Sequence, residues 1–95
     1  MFVRLTYFSL TPERVDEIKK VYHEEVAEVI RQQPGIKNVM LLEPVQHSDE
    51  FISCSVWENE SYVKAFESSD AYPSALGKIK AAATTSPYQK YYNLE

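Results

Sequence analysis

Few side chains in this sequence could carry chemistry, and aromatic residues surround them. Arg4 lies in the apolar run Phe2-Val3-Arg4-Leu5-Thr6. A strand cation there snorkels to the sheet edge, pairs with Glu43 on a neighbouring strand, or faces a pocket and binds an anion. Trp57, the only tryptophan, stands where an alternating run gives way to helical spacing. A large ring at that corner closes the top of the core or walls a cavity between sheet and helix. His23 sits beside the apolar stripe of a helix, a boundary or surface position, and His47 falls in a polar, solvated turn. The single Cys54 reads as a small buried apolar residue. Two distant histidines and one cysteine give no metal-site spacing. Glu24-Glu25 form a solvated face, because adjacent helical residues diverge by about 100°.

These residues need elements to position them. Residues 2–10, rich in β-branched and aromatic types, read as a first strand. Thr11-Pro12-Glu13 starts a helix, with Thr11 as cap, Pro12 at the first helical position and Glu13 at the positive end of the dipole. Val15, Ile18, Tyr22, Val26 and Val29 recur at helical spacing, so the helix runs over residues 12–33 until Pro34-Gly35 ends it. Residues 36–45 and 51–56 read as two strands joined by the polar turn at 46–50, an antiparallel hairpin. Asn59 caps a short helix over 59–68 that turns Tyr62, Val63 and Phe66 inward. A further helix follows over about 70–83, with Pro73 setting its start near Ala71. Pro87 breaks the chain, and residues 88–94 form a last strand.

The order βαββαβ predicts an α+β, ferredoxin-like sandwich with a four-stranded antiparallel sheet and its helices on one face. Both strand parities are substantially apolar: Val3, Leu5 and Tyr7 against Phe2, Arg4, Thr6 and Phe8, and Ile52, Cys54 and Val56 against Phe51, Ser53, Ser55 and Trp57. Both sheet faces therefore need cover, and a second copy of the chain, sheet against sheet, would supply the second one.

Size and charge narrow the function classes. The 95 residues make one domain, 1–95, with a small core, and the 44% hydrophobic content with few Gly and Pro fits a globular chain. The net charge is −4 and no basic cluster exceeds Lys19-Lys20, so a nucleic-acid footprint is missing. No apolar run approaches the ~20 residues that span a bilayer, and Met1-Phe2-Val3-Arg4 leads directly into a strand. The expectation is a cytoplasmic protein.

With that element order, the sequence resembles the antibiotic-biosynthesis-monooxygenase-like branch of the dimeric α/β-barrel superfamily. The likeness is carried by the opening strand, by Gln33-Pro34-Gly35, by Ser55-Val56-Trp57-Glu58-Asn59-Glu60, and by the spacing from Trp57 through Phe66 to Tyr72. It implies a homodimer built as a dimeric α/β barrel, with a pocket between each protomer's sheet and helices. Some relatives oxygenate anthrones or quinols without metal or flavin, others degrade heme, and many have no established activity.

Cofactor-free oxygenation needs a substrate anion that passes an electron to oxygen, a dry cavity, and donors for the developing oxyanion. The resemblance offers Trp57, Tyr62, Phe66, Tyr72 and Tyr22 as aromatic walls for a flat phenolic ligand, with Arg4, Thr6 and His23 as candidate catalytic contacts and no cofactor or metal. Heme-degrading members carry a first-strand asparagine and a histidine ligand on the last helical segment; here those positions fall near Thr6 and Leu76. A histidine found in many members about nine residues after the tryptophan is Phe66. Two functions are therefore expected: a cofactor-independent monooxygenase-like protein for a quinol- or anthrone-type molecule, or a non-catalytic dimeric binding or stress-associated module. Isomerase-like chemistry ranks third.

Overall fold

The computed structural model describes residues 1–46 and 48–95; the expectation for His47 lies outside the described residues. Strand β1, Phe2–Phe8, pairs with both β3, Phe51–Trp57, and β4, Tyr88–Asn93, and β2, Ile36–Leu42, pairs with β3. All pairings are antiparallel, in the order β2-β3-β1-β4. This is the ferredoxin-like α+β sheet that the element order predicts. Strands β1 and β2 stop at Phe8 and Leu42, short of the expected Leu10 and Val45, while β3 extends through Trp57.

The first helical stretch has four parts. A 3-10 turn at Pro12–Arg14 leads into α1, Val15–Val21, then a π-helical turn at Tyr22–Val26, then α2, Ala27–Arg31. Thr11 holds the N-cap position but makes no side-chain capping bond, and Pro12 and Glu13 follow in the first turn. Gly35 ends the stretch at φ +82°, in the left-handed region that glycine enters without steric cost. A Cβ at Gly35 would also collide with the Tyr62 ring.

Asn59 caps α3, Glu60–Glu67, by accepting from the Ser61 amide at 3.0 Å. Helix α4, Ala71–Ala82, starts without a side-chain cap from Asp70. The helices cover the face of β1 and β3 that carries Arg4, Thr6, Phe8, Phe51, Ser53, Ser55 and Trp57, all buried. Tyr22, Val26, Ile30, Val63, Phe66 and Ile79 complete the core.

The opposite face carries the other parity. Val3 pairs with Val56, Leu5 with Cys54 and Tyr7 with Ile52, flanked by Met40 and Leu42 on β2 and Tyr88 and Tyr92 on β4. The last four of these are exposed. The polar parity thus faces the helices and the more apolar one faces away.

Candidate functional site

Four polar residues, Arg4, Thr6, Ser53 and Ser55, are buried on the inner sheet face. Hydrophobic packing alone does not ask for them, since each buried polar group costs free energy unless it is paired. Arg4 is the centre of the group. From β1 it donates through Nε to Glu67 Oε2 at 2.8 Å, through Nη1 to Thr6 Oγ1 at 2.9 Å, and through Nη2 to the Tyr72 hydroxyl at 2.9 Å. Its guanidinium also lies 5.0 Å from the Tyr72 ring centre. A planar cation with a fixed fork of donors meets these three acceptors in set directions, where lysine would offer a point charge on a flexible stem.

The expected partner Glu43 does not reach Arg4. Glu43 follows the end of β2 and pairs with Lys19 at 2.8 Å instead. Glu67, the last residue of α3, takes its place. Sequence reasoning missed this residue, although a signal existed: a carboxylate at a helix C-terminus opposes the dipole and calls for a compensating cation. Tyr91 on β4 also donates to Glu67 Oε2, at 2.6 Å. Burial, followed by the Glu67 hydrogen bond, pushes the Tyr91 phenol above its ordinary pKa.

A second network lies beside the first. The Tyr22 hydroxyl shares a hydrogen bond with Ser53 Oγ at 2.7 Å and donates to the Met40 carbonyl at 3.2 Å. The π-helical turn begins at Tyr22. Burial raises the Tyr22 pKa, and the Ser53 contact only partly offsets it. Trp57 Nε1 donates to Ser55 Oγ at 2.8 Å, and Ser55 Oγ donates to the Arg4 carbonyl at 3.4 Å. Among the described residues, no buried side-chain nitrogen or oxygen lacks a partner.

A cavity lies between these networks and the helices. Arg4, Thr6 and Ser53 line it from the sheet, and Phe66, Tyr72 and Leu76 from α3 and α4. Its free volume is about 10 Å³, near the minimum for one water. Roomier hollows are open at the surface, including one of about 360 Å³ bounded by Phe2, Lys64, Glu67 and Tyr91. Glu67 therefore joins the interior network to that outer groove.

The structure brings Arg4, Thr6, Phe66 and Tyr72 to this cavity. Trp57 is fully buried behind Phe66, with ring centres 5.4 Å apart, and does not line it. Tyr62 packs at the Gly35 turn and borders a separate hollow with Pro34. Tyr22 reaches the site only through Ser53. His23 is exposed and stands edge-on to Tyr22, away from the cavity. The positions where heme-degrading members carry asparagine and histidine, near Thr6 and Leu76, do line the cavity. A leucine has no atom to bind iron. Among the described residues there is no group of three metal-ligating side chains.

The sequence profile of the antibiotic biosynthesis monooxygenase family matches residues 1–77. The chain belongs to this family. Solved structures agree on the fold of this monooxygenase-family protein. It is similar to a mutant of SnoaB, a cofactor-independent oxygenase from Streptomyces nogalater, at 14% identity and a TM-score of 0.81, covering 98% of this chain and 91% of that one. Similarity to the heme-degrader MhuD from Mycobacterium tuberculosis has 17% identity and a TM-score of 0.80, over 99% of this chain and 95% of that one. A conserved protein from Methanosarcina mazei is 12% identical, with a TM-score of 0.80, over 100% and 94% of the two chains. No curated protein sequence matches the chain.

Proposed function

We propose that this family member binds a flat phenol-, quinol- or anthrone-type molecule between its sheet and α4, and promotes oxygenation of that molecule without a metal or organic cofactor. The observation that carries this reading is the buried Arg4, whose Nη2 donor is aimed at a phenolic oxygen, that of Tyr72, at the wall of the cavity. A hydrogen bond from a cation stabilises a phenolate or enolate oxygen and lowers the pKa of its acid. Glu67 neutralises the net charge beside it, so the site offers a directed donor more than a positive field. Phe66 and Tyr72 give a ligand ring aromatic neighbours. In the anthrone case, one atom of O2 becomes the new carbonyl oxygen, and the other leaves as water with the two hydrogens of the oxidised methylene. SnoaB, which shares this fold, is a cofactor-independent oxygenase.

The chain acts in this proposal as a homodimer closed through the apolar sheet face of Val3, Leu5, Ile52 and Val56, and it is a single domain over 1–95. A second reading, a non-catalytic dimeric binding module, is favoured by the small free volume and by a cavity lining without carboxylate or imidazole among the described residues. Oxygen uptake with a panel of anthrones and hydroquinones separates the two. The oxygenase reading expects uptake above the spontaneous rate, unchanged by a metal chelator and weakened in Arg4→Met. Saturable binding with no uptake would leave the binding module.

A further inference from the structure

We propose that Tyr72 is an internal stand-in for the ligand: its hydroxyl occupies the Arg4 subsite, and a ligand's phenolic oxygen takes its place when the first turn of α4 swings away. This rests on the reading of the Arg4 cavity as a ligand site.

Tyr72 presents to Arg4 what a phenolic ligand would present. Its oxygen accepts from Arg4 Nη2 at 2.9 Å, its ring lies against the guanidinium, and its edge meets Phe66 with ring centres 5.4 Å apart. The residue is half-buried and belongs to the cavity wall. Ser69 is tied to the Phe66 carbonyl through its amide and its hydroxyl, at 3.0 and 2.6 Å, but beyond it the first turn of α4 is lightly held. Asp70 makes no side-chain cap, and the Tyr72 amide reaches the Ser69 carbonyl at a long 3.4 Å. Pro73 has no N–H to add, and Ser68 and Asp70 in the connection from α3 are exposed. Helix α3, by contrast, begins on the Asn59 cap. Uncapped first turns are the less stable ends of helices.

Displacing Tyr72 strips Arg4 of one acceptor and one aromatic neighbour, and a phenolic ligand restores both. A hydrocarbon of the same shape restores only the second. Tyr72 therefore sets specificity: it holds the site shut against molecules that bring no oxygen for Arg4.

The test is calorimetric titration of the wild type, Tyr72→Phe and Tyr72→Ala with 2-naphthol and with naphthalene, after thermal melts show that each is folded. Tyr72→Phe keeps the ring and removes the closed-state bond that any ligand must break, so both probes should bind about tenfold tighter, with 2-naphthol still ahead of naphthalene. Tyr72→Ala also vacates the ring's volume and should bind both probes more tightly than the wild type. If 2-naphthol binds the wild type and Tyr72→Phe equally, the stand-in is wrong although the site reading survives. A wild type that binds naphthalene as tightly as 2-naphthol would show that no ligand oxygen meets Arg4 and would also overturn it. Absence of 2-naphthol binding in all three proteins would remove the site reading and this inference together.

Discussion

Arg4 on β1 and Glu67 at the end of α3 form an ion pair, 2.8 Å long, whose cation is 6% exposed and whose carboxylate is 25% exposed. In every other ion pair among the described residues both side chains are more than a third exposed. The pair ties the sheet interior to the helix layer. Breaking a buried pair leaves a charge without its partner, whereas replacing both members by apolar groups does not. Glu67→Ala is therefore expected to destabilise the fold by about 2–3 kcal/mol, a value lowered for the partial exposure of Glu67. Arg4→Met with Glu67→Leu should cost less than Glu67→Ala alone. Urea unfolding of the wild type and the two variants checks this, and a double variant that loses as much as Glu67→Ala or more would contradict it.

Gly35 should tolerate no side chain. Gly35→Ala meets both a positive φ and the Tyr62 ring, so a loss of about 2 kcal/mol or more is expected. Adding Tyr62→Ala relieves the collision but not the backbone strain. The double variant, followed by thermal unfolding, should show a smaller added loss than Tyr62→Ala produces in the wild type.

Stability should fall at alkaline pH. The Tyr22 pKa is raised in the fold, chiefly by burial. Above the unfolded tyrosine pKa of about 10, the unfolded chain has lost a proton that the folded chain keeps. Folding stability is therefore fully present below that pH and declines as pH rises towards the folded value. Tyr88 and Tyr91 shift the same way, Tyr88 chiefly through its hydrogen bond to Glu50. Tyr22→Phe should be less stable at neutral pH, having lost the Ser53 and Met40 bonds, and should show a shallower alkaline decline. An unchanged slope in urea midpoints would contradict this.

The outer sheet face offers a direct test of self-association. Leu5 lies at its centre, opposite Cys54 on one side and Lys90 on the other. Leu5→Lys should convert a dimer of twice 11.0 kDa into a monomer, as seen by light scattering. A wild type that scatters as a monomer at micromolar concentration would defeat the homodimer proposal.

Much of the fold was legible in the residues. Pro12, Gly35, Asn59 and Pro87 bounded elements closely because each acts through its own backbone or cap. The π-helical turn at Tyr22–Val26 was not legible, since Tyr22 and Val26 recur at a spacing that an α-helix also permits. Nor was the facing of the sheet. Burial reasoning alone would send Ser53, Ser55 and Arg4 outward, yet they turn inward because each finds a partner there: Tyr22, Trp57 and Glu67. Arg4, Thr6, Phe66 and Tyr72 could be named in advance from residue type together with the family resemblance, but their meeting point depends on the β1–β3 register and on where α4 begins. Glu67 went unnamed because its partners, Arg4 and Tyr91, lie across the fold, at separations no local pattern encodes.

The central claim is that a phenolic ligand enters between the sheet and α4. Methyl NMR during a 2-naphthol titration tests it most directly, because the two sheet faces carry different methyl groups. Val26, Ile30, Leu76 and Ile79 line the cavity, while Val3, Leu5, Ile52 and Val56 belong to the outer face. The account predicts saturable shifts in the first set and none in the second. Shifts confined to the outer face, or none in either set, would contradict it.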